Sequence, residues 1–563
     1  MGLNKKTTAA IIVILIAAAV LIYRYNSELT IKDAEPAVSG NTESVWSNGK
    51  YDPPITITRI MKHNTYSTKF REGEDWDHNI FSRWLEGSLG MKVRTLWVVS
   101  EENDAFSKKL MLSITRGEEL PDIVAFRGSY DTLVQLIDSG HFMPVDELFD
   151  EYAGDIWKEV AAQYPSMWIS VTRNGNRYAL PLLEYSMNTE PVLWIRQDWM
   201  EKFNLKAPET MEDLEAIMEV FTNEDPDGNG IDDTYGMAVT LRASLNTWMT
   251  DLSWVFGAYG AVNSQWNLNA EGELAYGSIQ PGAKQALAQL NRWMEKGYIA
   301  RESSTWDEVK ASELFTSGKA GIIAGPHWMP DWPLFKLQDS VPEAKYKAYA
   351  VPAGPDGVRG VRAGGPAPVN GVVLINKDSK HPEAFLRYYN YLLEHYANPS
   401  EGSSFEYGFA EGYDYLLDDG ELVKNNPDFV SPMDYSLSYE GARIPDLMIN
   451  TLVKLSSKPP ETPFERQVYW KRSLEEIEAA SIVMDYERQG VRHVNWFEGS
   501  ESGTAKSRSE LLFQMEREAF TKMIYGQLPV EAFDEFVAQW RSGGGDQMTA
   551  EVNEVFKQFH EGR

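Results

Sequence analysis

No cysteine occurs among the 563 residues, which excludes disulfides, thiolate zinc sites, a cysteine nucleophile and the acylated cysteine of a bacterial lipoprotein. Histidine is scarce, at eight residues, and none stands in a His-Glu-x-x-His pattern. A Gly-x-Ser-x-Gly elbow and a Gly-x-x-x-x-Gly-Lys-Ser/Thr loop are also missing, which argues against zinc peptidases, elbow-type hydrolases and P-loop nucleotide enzymes. A glycosidase requires only two placed carboxylates, so 83 acidic residues leave that class open. Basic charge is in deficit: 53 Lys and Arg give a net charge of -30. Nucleic-acid binding needs clustered cations and is not expected, and a polyanionic glycan is disfavoured unless a cleft is locally basic.

Aromatic rings, by contrast, are abundant. The chain carries 18 Trp, 27 Tyr and 23 Phe, with many Trp in polar, turn-rich surroundings. Sugars present apolar C–H faces bordered by hydroxyls, so flat rings flanked by polar side chains make a natural carbohydrate site. Any one Trp, taken alone, is more often core.

Ala9 to Tyr23 form an apolar run, preceded by Lys5 and Lys6 and followed by Arg24. Extended through Thr7, Thr8 and Tyr25, the run approaches the minimum of about 17 residues for a spanning helix. Ala17, Ala18 and Ala19 resemble a signal-peptide cleavage site, yet Val20, Leu21 and Ile22 prolong the run beyond them. An uncleaved anchor over 1–25 is therefore the expectation, with the remainder outside the cytoplasmic membrane. Residues 26–54 are polar and turn-rich and read as a tether.

Beyond the tether the pattern is α/β. Ile55 to Ile60, Lys92 to Val99 and Asp122 to Phe126 read as strands, separated by helical patterns over Asn79 to Leu89 and Asp104 to Thr115. This alternation predicts a mostly parallel sheet. A second α/β lobe follows, with Val192 to Ile195 as strand and helices over Met211 to Phe221 and Pro281 to Lys296. Val372 to Ile375 offers a further buried strand.

The sharpest local motif is Asp225-Pro226-Asp227-Gly228-Asn229-Gly230-Ile231-Asp232-Asp233. Oxygen side chains at positions one, three and five, glycine at six and a carbonyl at seven match the first half of an EF-hand loop. Position twelve is Gly236 where a glutamate is usual, so Asp233, Thr234 or a distant carboxylate would complete the shell. The expected ligands of a structural calcium ion are Asp225, Asp227, Asn229, Ile231 through its carbonyl, Asp233 and Thr234. An Asn/Gly-rich turn needs no metal, and this is the competing reading.

From about residue 55 onward the chain resembles the large extracellular solute-binding proteins of carbohydrate ABC importers, the branch of the LplA-type lipoproteins and alginate-binding proteins. The resemblance is carried by Glu119-Leu120-Pro121-Asp122-Ile123-Val124, by Asn174-Gly175-Asn176-Arg177-Tyr178-Ala179-Leu180-Pro181, and by Leu193-Trp194-Ile195-Arg196-Gln197-Asp198-Trp199. It continues through Phe315-Thr316-Ser317-Gly318-Lys319-Ala320-Gly321, Gly325-Pro326-His327-Trp328 and the tail Phe533-Asp534-Glu535-Phe536-Val537. It implies a two-lobed periplasmic-binding-protein-like (type II) fold that closes on an oligosaccharide and hands it to ABC permease subunits. The implied lobes are 55–183 with 362–425 and 184–361 with 426–563. The resemblance also implies Trp328 as a stacking residue, Arg127 and Glu184 as hydroxyl-binding residues, and Trp248 and Trp254 as further aromatic candidates. The lipidated cysteine usual in relatives is missing, so attachment would rest on the apolar run. A surface glycosidase or lyase and a sugar sensor remain the alternative functions.

Overall fold

The computed structural model describes residues 44–63, 68–242, 244–423, 429–497 and 503–561. The expected anchor over 1–25 lies outside the described residues. Among those described, no helix is long and apolar enough to cross a membrane. The chain divides into Met1–Ile55 and Thr56–Arg563. In the first unit Val45–Ser47 pairs antiparallel with Lys50–Asp52, so the end of the segment read as a tether is a hairpin. Its turn is Asn48-Gly49, with φ of 51° and 78°, the two-residue sequence that suits strand twist.

In the second unit the main strands, in chain order, are β1 (Ile55–His63), β2 (Met91–Ser100), β3 (Ile123–Phe126), β4 (Leu180–Leu183), β5 (Val192–Arg196), β6 (Tyr235–Ala238), β7 (Ala320–Gly325), β8 (Tyr346–Tyr349), β9 (Val361–Arg362), β10 (Val369–Ile375) and β11 (Arg492–His493). The helices that matter below are α1 (Ile80–Leu89), α2 (Ala105–Arg116), α3 (Met211–Asn223), α4 (Pro281–Glu295), α5 (Glu308–Thr316), α6 (Leu447–Leu455), α7 (Leu474–Gln489) and α8 (Gly503–Ile524). The expected strands and helices match these, with no expected end lying more than one residue outside its element. Capping explains the sharp start of α1: the Asn79 side chain accepts Ser82 N–H at 3.0 Å while Asn79 N–H donates to Ser82 Oγ at 2.9 Å, a reciprocal box.

One sheet has the order β3-β10-β4 and the other β6-β7-β5-β8. In these two sheets only β6 and β7 pair parallel; β10 runs against both neighbours, and β5 runs against β7 and β8. The expectation that β1, β2 and β3 build one mostly parallel sheet is thus corrected: β1 and β2 pair with each other, and β3 lies in the first of these sheets, antiparallel to β10. Helical crossovers make parallel pairs only between strands joined within one sheet. The central strand β10 instead enters its sheet after the chain has returned from the other one.

Each sheet has its own apolar core. Ile60, Phe106, Leu110, Val124, Phe126 and Leu374 belong to the first. The second, larger core takes Trp194, Ile322, Phe221, Leu290 and Trp293 together with Ile449, Leu452 and Val483. Here α3 lies on β6, α4 on α8 and α6 on α7.

Three segments pass between the two sheets and lie side by side. Residues 184–191 lead from β4 to β5, and 363–368 lead from β9 to β10. The third, 440–446, connects a stretch packed on the first sheet, where Tyr439 donates to the Ala125 carbonyl at 2.9 Å, to α6 in the second core. Glu184 N–H donates to the Pro368 carbonyl at 2.8 Å, and Ser186 N–H donates to the Pro445 carbonyl at 2.9 Å.

Candidate functional site

The turn after β7 carries two indoles, and the loop 244–252 brings a third to them. Trp248 stacks on Trp328 at 5.6 Å with planes 28° apart and on Trp332 at 5.3 Å with planes 11° apart. Although Trp248 lies in this stack it is 38% exposed, which is unusual for so large an apolar ring. The turn itself is anchored: Trp194 donates its Nε1–H to the Pro326 carbonyl at 3.1 Å. Gly325 permits the close approach, since a Cβ there would lie 2.3 Å from the Met329 sulfur and 3.1 Å from the Trp248 carbonyl.

Buried charges shape the loop that presents Trp248. Asp251 is fully buried and accepts from Thr247 N–H at 3.1 Å, from Ser253 N–H at 2.8 Å and from Arg362 Nε at 2.6 Å. Burial pushes the Glu308 carboxyl up to about 7 against the pull of Arg362. Trp254, expected to line the site, is instead a core residue. It is 0% exposed, donates Nε1–H to the Asp251 carbonyl and packs on Trp293, because the short helix Ser253–Gly257 is buried on every side.

The other predicted pair, Arg127 and Glu184, stands in a polar lattice where the crossing segments begin. Arg127 Nε donates to the Asn370 carbonyl at 3.0 Å and Nη1 to Glu440 at 3.1 Å, and its guanidinium faces the Tyr439 ring at 5.3 Å. Glu184 accepts from Asn370 Nδ2 at 3.0 Å and from Tyr185 N–H at 2.8 Å. Arg443 donates to both Glu184 oxygens and, at 2.5 Å, to Glu440. Burial would depress the Arg443 pKa, but Glu184 and Glu440 outweigh it and hold the group charged. Burial would likewise raise Glu440, and Arg443 and Arg127 outweigh it. Two cations and two anions therefore alternate and cancel, with amide and ring edges between them. The lattice depends on a slip in strand pairing between Val369 and Val372 of β10. There Gly371 has φ 90°, and a Cβ would come 2.6 Å from the Arg127 Cγ and 2.7 Å from the Phe126 carbonyl.

Wall and lattice are joined by one crossing segment. It carries Glu184 and Tyr185 at its start, and its Asn188 carbonyl accepts the Nε1–H of Trp328 at 2.8 Å. Beside it a cavity of about 170 Å³ is lined by Tyr185, Tyr396, Glu440, Arg443 and Arg472 among others. Flat apolar faces next to paired donors and acceptors suit a ligand with C–H faces and hydroxyls. Of the predicted residues, Trp248 with Trp328 and Arg127 with Glu184 are brought together. Sequence reasoning missed Trp332, Asn370, Glu440 and Arg443. Trp332 had the same turn-rich, aromatic signal as Trp328, whereas the other three had none.

The 225–234 loop is folded about its first residue, since Asp225 accepts N–H from Asn229 at 3.1 Å and from Gly230 at 3.0 Å. Asp227 and Asp233 converge, and the Lys319 ammonium lies 2.9 Å and 2.8 Å from them. The donor set is of the hard, oxygen-rich kind that calcium takes, and Lys319 supplies the positive charge in this arrangement. Thr234 does not join it: its hydroxyl is buried and donates to the Phe221 carbonyl at 2.8 Å. Among the described residues no group of three or more His, Cys, Asp or Glu is arranged to hold a metal ion.

The polygalacturonan/rhamnogalacturonan-binding protein YtcQ of Bacillus subtilis (strain 168) is 26% identical over 391 residues, covering 69% of this chain and 72% of YtcQ. In fold, the chain is similar to the alginate-binding protein AlgQ2, solved without calcium ion, with TM-score 0.62 and 17% identity over 90% of this chain and 98% of AlgQ2. It is similar also to the ABC-transporter substrate-binding protein FusA of Streptococcus pneumoniae in complex with kestose, with TM-score 0.64 and 18% identity over 90% of this chain and 100% of FusA; FusA has also been solved as an EF-hand mutant. Residues 90–398, more than half of the sequence, match the pattern of one protein family, and the chain belongs to it: the bacterial extracellular solute-binding proteins.

Proposed function

We propose that this chain is the extracytoplasmic receptor of an ABC importer, capturing an oligosaccharide between two lobes and delivering it to the permease subunits without chemical change. The observation that carries the reading is the stack of Trp248 on Trp328 and Trp332, half open to solvent, joined by one crossing segment to the Arg127–Glu184 lattice. Stacked indoles take the faces of sugar rings, and the lattice takes their hydroxyls. Because its charges cancel, a neutral or weakly charged sugar is the favoured ligand. Closure about the three crossing segments would trap it. In this proposal the lobes are 55–183 with 362–425 and 184–361 with 426–563, except that residues 432–439 go with the first lobe. Arg59 donates to the Tyr435 carbonyl there, which supports the change.

Two further parts belong to the proposal. The apolar run within 1–25 holds the receptor on the outer face of the cytoplasmic membrane, and deleting residues 2–25 should release the chain from the membrane fraction. A structural calcium ion takes the side chains of Asp225, Asp227, Asn229 and Asp233 and the Ile231 carbonyl once Lys319 withdraws.

The test is titration of the full chain, in mild detergent, with nystose, kestose, maltotriose and trigalacturonate, followed by tryptophan fluorescence and calorimetry. Saturable binding with the sugar recovered intact supports the receptor. Cleavage products would replace it with a surface glycosidase or lyase, and the absence of binding across the panel would remove the oligosaccharide assignment.

A further inference from the structure

The cavity beside the first crossing segment has polar groups that the protein itself leaves open. The helix Pro463–Lys471 forms one wall of it. Phe464, Gln467, Val468 and Lys471 recur at intervals of three and four residues, which sets them on one helix face, and all four line the cavity. Phe464 and Val468 are buried and, with Met448 of α6, belong to the larger core, so the cavity is closed on that side. At the helix end Lys471 keeps 45% of its side chain exposed, and its nearest carboxylate, Asp414, lies 3.8 Å away, beyond hydrogen-bond length. Asp414 is itself taken by the N–H groups of Phe409 and Ala410, both at 2.9 Å.

Two tyrosines add to the polar groups. The Arg443 guanidinium faces the Tyr185 ring at 5.2 Å, and the Tyr396 ring packs edge-on against Phe405 at 5.5 Å, so both rings are held in place. Both line the cavity, and neither hydroxyl has a hydrogen-bond partner among the described residues. The cavity meets the aromatic wall through Arg472, which lines it and donates to the carboxylate of Asp331, the neighbour of Trp332. It meets the lattice through Glu440 and Arg443.

Its 170 Å³ is well under the roughly 300–1,000 Å³ of a pocket that encloses a whole ligand, so it has room for only part of an oligosaccharide. The closed apolar side stops a chain from running on through it. Hydroxyls without partners in half-buried side chains are costly to keep, and sugar hydroxyls, which both donate and accept, satisfy phenols and an ammonium alike. We infer that this cavity receives the terminal ring of the bound oligosaccharide, whose hydroxyls bond to the Tyr185 and Tyr396 hydroxyls and the Lys471 ammonium, while the chain continues toward the tryptophan wall. This rests on the oligosaccharide reading above, and it gives the site an end and a direction.

The experiment is calorimetric titration of the full chain in mild detergent with nystose, kestose, maltotriose and trigalacturonate, comparing the parent with Tyr185→Phe, Tyr396→Phe, Lys471→Met and Trp248→Ala, each checked by thermal denaturation. The two Tyr→Phe variants delete one unpartnered oxygen each and should keep the melting transition of the parent. Each of the three cavity variants should weaken binding of whichever sugar the parent takes by about five-fold or more. A size-fractionated polymer of the same repeat should bind one receptor per chain, since each chain has one end of the right kind. If Trp248→Ala weakens binding while the three cavity variants stay within about two-fold of the parent, the cavity holds water only. That result overturns this inference and leaves the receptor standing, and several receptors bound along one polymer chain would overturn the assignment to a terminal ring. If the parent binds none of the four sugars, the inference falls together with the reading it rests on.

Discussion

Trp248 lies nearly parallel to Trp332, ring centroids 5.3 Å apart, and keeps 38% of its surface open. An exposed stacked indole and a buried one should fail in different ways when removed. Trp248→Ala is expected to lower oligosaccharide affinity on the order of 30-fold while changing stability by less than about 1 kcal/mol. Trp254→Ala should do the reverse, costing about 3–5 kcal/mol in denaturant unfolding. Equal effects of the two on affinity would mean that the wall is not the binding surface.

Lys319 lies between Asp227 and Asp233, so calcium and the ammonium compete for the same carboxylates. Calcium at about one hundred times its Kd should stabilise the chain by about 2.7 kcal/mol, and Asp225→Ala should abolish the effect. Lys319→Met should tighten calcium binding by removing the competitor. If calcium affinity is unchanged in Lys319→Met, the ammonium does not guard the loop.

The Glu308 carboxyl, raised to about 7 by burial, binds its proton more tightly in the folded than in the unfolded chain. Its contribution to stability is therefore intact below the ordinary carboxylate pKa and is lost as pH rises through 7. Glu308→Gln escapes that loss. Its stability relative to the parent should rise between pH 5 and pH 8 by at most about 3 kcal/mol, measured by urea unfolding at each pH. A difference independent of pH would count against a buried, titrating Glu308.

Glu190, at the end of the first crossing segment, is fully buried and accepts from Arg492 Nε at 2.8 Å. Glu190→Ala removes the buried one of the two acidic partners of Arg492, leaving Glu487, and should destabilise the chain by about 3 kcal/mol. Glu190→Ala combined with Arg492→Met should recover part of the loss. A double variant no better than the single one would show that Glu487 and solvent satisfy Arg492 once Glu190 is gone.

The elements were legible where local chemistry decides them. The period of Ile55 to Ile60, the apolar spacing of α4 and the oxygen spacing of the 225–233 loop are all short-range signals. Trp248 and Trp254 show where this reasoning ends. They stand six residues apart in one aromatic segment, and only the enclosure of Ser253–Gly257 on all sides makes the second a core residue. Glu440 and Arg443 sit in an aperiodic stretch, and nothing in their neighbourhood marks them. Their role arises from Arg127 and Glu184, which the chain reaches some three hundred residues earlier. The direction of β10 was hidden for a related reason: a strand's pattern records that it is buried, not which way its neighbours run.

Gly371 bears on how such a receptor can change its diet. The partly exposed Trp248 ring can be exchanged without opening the core, but position 371 is closed to the usual single-step replacements. Any side chain there must displace Arg127 or the Phe126 carbonyl, and the positive φ adds strain of its own. New specificities in this lineage should therefore accumulate on the tryptophan side, while the lattice side is inherited unchanged.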